Sequence, residues 1–138
     1  MSDFLLKIFE KETINKLPLD RLYPILESLD DEQLLHIADT YSLDIENLNG
    51  QEKITALEKE IKGRFSEVLN TFDEKEHKSF YDFYNGSVDY SDENVYVNMK
   101  KFTALGYMYL FLSKSGTYFN FVIPVELVEI YENLLANS

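Results

Sequence analysis

The stretch that decides the fold is GYMYLFLSKSGTYFNFVIP, residues 106–124, in which Lys114 is the only charged residue. Its two halves, YMYLFL and TYFNFVI, are rich in the aromatic and β-branched residues that favour strands. Residues 113–116, Ser-Lys-Ser-Gly, separate the halves and are typical of a turn. A membrane-spanning helix would need about 20 mostly apolar residues without such an interruption. We therefore predict a β-hairpin with its tip at 113–116, and no membrane segment.

A hairpin alone is marginal in water, so it needs helices to pack against. The clearest predicted helix covers about residues 51–72, where apolar residues recur every three or four positions and stay in phase through Gly63. Its apolar stripe consists of Ile54, Leu57, Ile61, Phe65, Val68 and Phe72. Further helices are predicted before Pro18, at about 20–29, after Asp30, after Asp73, at 92–105 and after Pro124. The predicted fold class is therefore mainly α, of the α+β type, with one hairpin.

Capping residues and apolar spacing define these helices further. Asp30 is the expected N-cap of the third helix, Asp73 and Glu76 form a capping box, and Ser91 is expected to open the helix at 92–105. The expected core faces are Phe4, Leu5, Ile8 and Phe9; Leu34, Leu35, Ile37, Ala38 and Tyr41; Val95, Met99, Phe102 and Leu105; and Val125, Leu127, Val128, Tyr131, Leu134 and Leu135.

Composition restricts the classes of function. The 138 residues include 25 acids and 13 bases, for a net charge of −12, which disfavours a general attraction to nucleic acid or anionic membranes. There is no cysteine, and His36 and His77 lie at no metal-site spacing, so we expect neither a metal nor a cofactor. No phosphate-binding loop, dinucleotide turn or serine elbow is present, so we expect no enzyme activity. The opening residues, MSDFLLKIFEKE, do not resemble a signal peptide, and we expect a cytoplasmic protein.

Two segments carry resemblances to known families. From about Arg64 onward, the order helix, helix, helix, hairpin, helix resembles a winged-helix domain. That resemblance implies that residues 92–105 are a recognition helix and that the hairpin tip is the wing. Residues 34–61, LLHIADTYSLDIENLNGQEKITALEKEI, are similar to the helix–extended–helix unit of SAP and Rho N-terminal domains. We therefore expect a helical part at 1–62 and a winged-helix-like part at 63–138, joined by the shared helix at about 51–72.

One segment could face an anionic partner. Residues 94–125 contain no Asp or Glu. The expected outward stripe of the helix at 92–105 is Asn94, Asn98 and Lys101, and Lys100 and Lys114 add positive charge. Asn and Lys can contact base edges and phosphates, so a DNA-binding regulator using this helix and the hairpin tip is one hypothesis. Burial of the hairpin would also explain the missing acids.

Tyrosines provide the hypothesis that we rank first. Tyr81, Tyr84, Tyr90 and Tyr96 are candidate partner contacts, and Tyr81 and Tyr84 are expected to be partly exposed. Packing at the rim of the core is the alternative explanation for these tyrosines. Side chains with an apolar body and a polar tip are favoured at interfaces. The sequence therefore predicts a non-enzymatic regulatory or adaptor module that binds another protein. A third hypothesis is an acidic inhibitor that occupies the nucleic-acid-binding site of a basic protein.

Overall fold

The computed structural model describes residues 13–14, 19–112 and 119–137. The helix predicted before Pro18, with Phe4, Leu5, Ile8 and Phe9, lies outside the described residues. The hairpin tip at 113–116, including Lys114, also lies outside them.

The described residues form helices around a small sheet, so the fold is mainly α with a minor β component, as predicted. In chain order the elements are β1 (Thr13–Ile14), α1 (Leu22–Ser28), α2 (Asp31–Thr40), α3 (Gly50–Leu69), α4 (Glu74–Asn85), α5 (Glu93–Ala104), β2 (Tyr109–Leu112), β3 (Phe119–Val122) and α6 (Val125–Ala136). None of the helices in this part of the chain combines the length and the hydropathy needed to cross a bilayer.

Side-chain caps explain where the helices start. The side-chain oxygens of Asp30 and Asp73 each accept a hydrogen bond from the backbone N–H three residues later. The side-chain oxygens of the residues at those positions, Gln33 and Glu76, in turn accept a hydrogen bond from the backbone N–H of the N-cap residue. Both predicted N-caps are thereby confirmed. The prediction for α5 is off by one residue, because Asp92, not Ser91, caps this helix by accepting the N–H of Asn94 at 2.9 Å.

The long helix α3 lies at the centre of the fold. It continues through Gly63 without a break, as predicted, but it ends at Leu69 rather than near residue 72. Leu57, Ile61 and Phe65 are buried as predicted, but at the end of the helix Leu69 is buried and the predicted Val68 is only partly buried. On one side α3 packs against α1, and on another it packs against α6. This helix therefore connects the amino-terminal and carboxy-terminal elements.

The predicted hairpin is present. β2 and β3 pair antiparallel, with Tyr109 opposite Val122 and Leu112 opposite Phe119. The sheet has a third strand that the sequence analysis did not predict, because β1 pairs parallel with β2 and places Thr13 opposite Leu110. A two-residue strand carries no periodic signal, and its partner lies almost a hundred residues further along the chain.

One continuous hydrophobic core includes residues from both sides of the predicted boundary at residue 62. Leu22, Ile25 and Leu26 of α1 belong to the same cluster as Phe102 and Tyr107. Phe65 of α3 contacts Tyr107 edge to face, with ring centroids 4.8 Å apart.

Three predicted core residues are exposed instead. Leu35 on α2 and Leu134 and Leu135 on α6 have substantial solvent contact. In each helix the neighbouring apolar residues, among them Leu34 and Leu127, already fill the core-facing stripe. The extra leucines therefore extend beyond the arc that the core covers.

Candidate protein-interaction surface

Asn98 does not face outward, so the predicted base-contacting stripe of α5 is wrong at this residue. Its side chain is only 7% exposed and donates from Nδ2 to the Oγ of Ser79 at 2.8 Å. The same Nδ2 lies 3.5 Å from the carbonyl oxygen of Lys75. The physical reason is that α4 packs on this side of α5, and Asn98 satisfies the polar groups in the contact.

Lys101 lies beside Asn98 in the same helix contact. Its Nζ contacts the carboxylate of Glu76 at 2.5 Å and lies 4.8 Å from the ring centroid of Phe72. The positive charge is therefore balanced within the protein. Of the remaining candidates, Asn94 and Lys100 are exposed, while Lys114 lies outside the described residues. The described candidates thus do not form one outward basic stripe.

Tyr81 and Tyr84 lie together on α4, with ring centroids 5.9 Å apart. Tyr81 is 43% exposed, and Tyr84 is partly exposed, as predicted. The hydroxyl of Tyr84 donates to the carboxylate of Glu132 on α6 at 2.8 Å. This hydrogen bond, together with partial desolvation, raises the pKa of Tyr84 above its ordinary value. The bond fixes the orientation of the Tyr84 ring between the two helices.

Helix α6 extends this aromatic pair. Tyr131 packs against Tyr84 with ring centroids 5.2 Å apart, and it contacts the buried Phe80 at 5.0 Å. One turn further along α6, Leu134 is 38% exposed and Leu135 is 41% exposed. We call the exposed or partly exposed Tyr81, Tyr84, Leu134 and Leu135, together with the buried Tyr131 that contacts Tyr84, the tyrosine surface.

Charges around the tyrosine surface are predominantly acidic. Glu129 and Glu132 lie on α6, and Asp82 lies next to Tyr81. Burial is the main reason that the pKa of Tyr131 is raised, and the neighbouring Tyr81, Tyr84 and Asp82 raise it further. The nearby Lys78 is paired with Asp82 at 2.7 Å, so its charge is offset. An approaching partner would therefore meet apolar side chains with the Glu132 carboxylate beside them.

Tyr90 and Tyr96 are separate from this surface. The Tyr90 ring stacks on Phe121 of β3, with centroids 6.0 Å apart, and the Tyr96 hydroxyl donates to the Tyr90 carbonyl at 2.7 Å. Both residues are partly exposed. Their contacts attach the α4–α5 connection to the hairpin, so their visible role is structural.

The sequence analysis missed the contribution of α6 because it assigned Leu134 and Leu135 to the core. A signal was present in the sequence. Between residues 125 and 135, seven positions are apolar or tyrosine, which is more than one buried helical stripe can hold. Such a width indicates a helix that is apolar on two sides.

No family model matches the chain, and no curated protein or solved structure is significantly similar to it. The resemblances to winged-helix and SAP or Rho N-terminal domains stay predictions. Among the described residues, no three His, Asp or Glu side chains are grouped so that they could hold a metal ion.

Proposed function

We propose that this protein is a regulatory or adaptor module that binds another protein through the tyrosine surface. The observation that carries the proposal is the adjacency of Tyr81 and Tyr84 to the exposed end of α6. There, aromatic rings in contact with one another continue into two leucines that the core does not cover. Contiguous exposed apolar surface of this kind is typical of a protein-binding site.

The composition of the surface supports a protein partner. Tyrosines supply a large contact area with few rotatable bonds, and residues of this type contribute most of the binding free energy at many interfaces. The Tyr84–Glu132 hydrogen bond holds one ring in place before binding. Less side-chain entropy is therefore lost when the partner docks.

The charge beside the tyrosine surface indicates the kind of partner. The Glu132 carboxylate beside the apolar side chains favours a surface that carries Lys or Arg next to its own apolar residues. The net charge of −12 acts in the same direction over longer distances and increases the association rate with a basic protein. Binding should weaken as the salt concentration rises.

A protein partner is favoured over DNA for a specific reason. Asn98, which was expected to contact bases, is buried, and the charge of Lys101 is balanced by Glu76. DNA binding depends on releasing counterions from phosphates, and each paired lysine contributes less to that release.

A capture experiment with matched variants tests the proposal. The tagged full chain is compared with Tyr81→Ser and with Leu134→Ser/Leu135→Ser, in which partly exposed side chains lose apolar area. Val97→Ser is the control, because Val97 is 68% exposed but lies on α5. We expect the same protein to be captured in a defined stoichiometry by the wild type and by Val97→Ser. Capture should fall by about tenfold or more in the other two variants.

The contradicting result is equally concrete. Equal capture by the wild type, Tyr81→Ser and Leu134→Ser/Leu135→Ser, with all variants folded by circular dichroism, would remove the tyrosine surface from the binding site. Tight retention on duplex DNA at about 150 mM salt would instead support the nucleic-acid hypothesis.

A further inference from the structure

A cleft of about 620 Å³ opens between α2, β1 and the turn that joins α5 to β2. This volume lies within the range of about 300–1,000 Å³ that ligand sites in proteins occupy. No residue of the tyrosine surface lines the cleft. The cleft is therefore a site separate from the tyrosine surface and independent of the function proposed above.

The wall that α2 contributes is acidic. Glu32 and Asp39 are both exposed and lie seven residues apart on one helical stripe, and the N-cap Asp30 also lines the cleft. Within the described part of the chain, no Lys or Arg lines the cleft, and none of these three carboxylates forms an ion pair. Among the described residues, no cation neutralises the negative charges at this wall.

The floor of the cleft is apolar. Leu29, Leu35 and Met108 line it. Leu35 is exposed and lies between the two acidic positions of α2. An exposed leucine flanked by carboxylates offers an apolar contact and a charged contact within one helical turn of each other. A ligand that uses both must itself combine apolar and positively charged groups.

The two walls are held together before any ligand binds. The side-chain Nε2 of Gln33 on α2 donates to the carbonyl of Thr13 on β1 at 3.2 Å. The backbone of β1 pairs in turn with β2. This arrangement means that little reorganisation is needed for binding, which favours affinity.

The geometry points to a binding site for a cationic segment of a partner protein, in which Lys or Arg side chains alternate with apolar ones. The cationic side chains contact Asp30, Glu32 and Asp39, and the apolar side chains cover Leu35 and the floor beneath it. An anionic segment is disfavoured because three carboxylates would repel it. A neutral segment would desolvate these carboxylates without pairing them.

The experiment titrates the full isotope-labelled chain with a capped peptide of about eight alternating Lys and Leu residues and follows the backbone amide signals. We expect saturable shifts centred on Leu35, His36 and Asp39. Two comparison peptides separate the contribution of charge from that of apolar contact. A peptide of alternating Lys and Ser retains the positive charge without the apolar side chains. A peptide of alternating Glu and Leu retains the apolar side chains and reverses the charge. Both should bind at least about tenfold more weakly.

Charge-only variants test the acidic wall. Asp30→Asn/Glu32→Gln/Asp39→Asn removes three charges and keeps an Asn at the N-cap, a residue that caps helices as well as Asp does. Asp73→Asn/Glu74→Gln/Glu93→Gln is the matched control, since it removes the same number of charges and one N-cap charge elsewhere. We expect about a tenfold loss of affinity in the first variant and less than about twofold in the control.

The apolar floor has its own variant. Leu35→Gln changes an exposed residue, so folding is preserved, and it should weaken the Lys–Leu peptide by about threefold or more while leaving the Lys–Ser peptide unchanged. Three results would overturn the site. These are equal losses in the two triple variants, shifts centred away from α2, and absence of saturable binding at about 1 mM peptide.

Discussion

Gly106 occupies the sharp turn that directs the chain from α5 into β2. Its φ angle is +75°, a conformation that side-chain-bearing residues rarely adopt. A Cβ atom at this position would lie 2.8 Å from Cδ1 of Ile61 and 3.0 Å from the hydroxyl of Tyr109. Both neighbours are buried in the core and have little room to move. The residue therefore combines two separate reasons to be glycine.

Gly106→Ala tests these two reasons. We expect a loss of about 2–4 kcal/mol in the free energy of unfolding, from backbone strain and from overpacking against Ile61. Gly86→Ala is the control, because Gly86 also has a φ of +75° but would place no Cβ contact within 4 Å. It should lose only about 1–2 kcal/mol in the same urea titration. Equal losses in the two variants would show that the close approach to Ile61 is unimportant.

Buried phenols should make the protein sensitive to alkali. Burial raises the pKa of Tyr107 to about 12, and burial also raises the pKa of Tyr109. The Tyr109 hydroxyl is buried without a hydrogen-bond partner among the described residues, whereas the Tyr107 hydroxyl interacts with that of Tyr41. Above about pH 10 the unfolded chain releases these protons while the folded chain retains them, so stability is complete below pH 10 and falls as the pH rises towards 12.

The expected slope is about 1.4 kcal/mol per pH unit for each such tyrosine. Urea unfolding between about pH 8 and pH 11.5 measures it. Tyr107→Phe and Tyr109→Phe should each reduce the slope. Tyr109→Phe should also change stability little at neutral pH, because it removes a hydroxyl that lacks a partner among the described residues. A free energy of unfolding that stays constant up to pH 11.5 would contradict the burial of these hydroxyls.

At the scale of elements, most of the helical pattern could be predicted because its causes are local. Apolar spacing fixed α3, and the side chains of Asp30 and Asp73 fixed the starts of α2 and α4. The predictions that failed depended on contacts with residues that are distant in the sequence. β1 exists only because β2 lies beside it, and Asn98 is buried only because α4 covers it. The tyrosine pair on α4 was predictable, whereas the leucines of α6 required knowledge of the finished core.

Asn98 forms a buried polar bond in the contact between α4 and α5, so its removal should be costly. Asn98→Ala leaves the Ser79 hydroxyl without this partner and should lower the free energy of unfolding by about 1–3 kcal/mol. Asn94→Ala, on the exposed side of the same helix, should change it by less than about 0.5 kcal/mol. Thermal or urea unfolding distinguishes the two variants. Equal, small losses in the free energy of unfolding of the two variants would indicate that the Asn98 side chain is a surface residue.

At the scale of the whole molecule, α3 joins the amino-terminal and carboxy-terminal elements into one core. Phe65 contacts both Phe80 and Tyr107, while Leu57 belongs to the same buried cluster as the residues of α1. Loss of the packing of α1 or of α6 would expose apolar surface on α3. The two parts of the chain should therefore be energetically coupled.

We expect a single cooperative unfolding transition for this reason. Far-ultraviolet circular dichroism and tyrosine fluorescence should give the same midpoint in urea, since both report on the same core. Two separated transitions would mean that the parts on either side of residue 62 fold independently in spite of their shared helix.

The central claim is that the tyrosine surface contacts a protein partner, and site-specific photo-crosslinking tests it most directly. A photoreactive phenylalanine analogue replaces Tyr81 in one full-length protein and Val97 in another, since both positions are exposed but only Tyr81 belongs to the surface. We predict that irradiation of the two proteins in the extract of their source cells gives one dominant protein adduct from position 81, reduced by Leu134→Ser/Leu135→Ser, and none from position 97. Adducts of equal yield from both positions, or from neither, would contradict the claim.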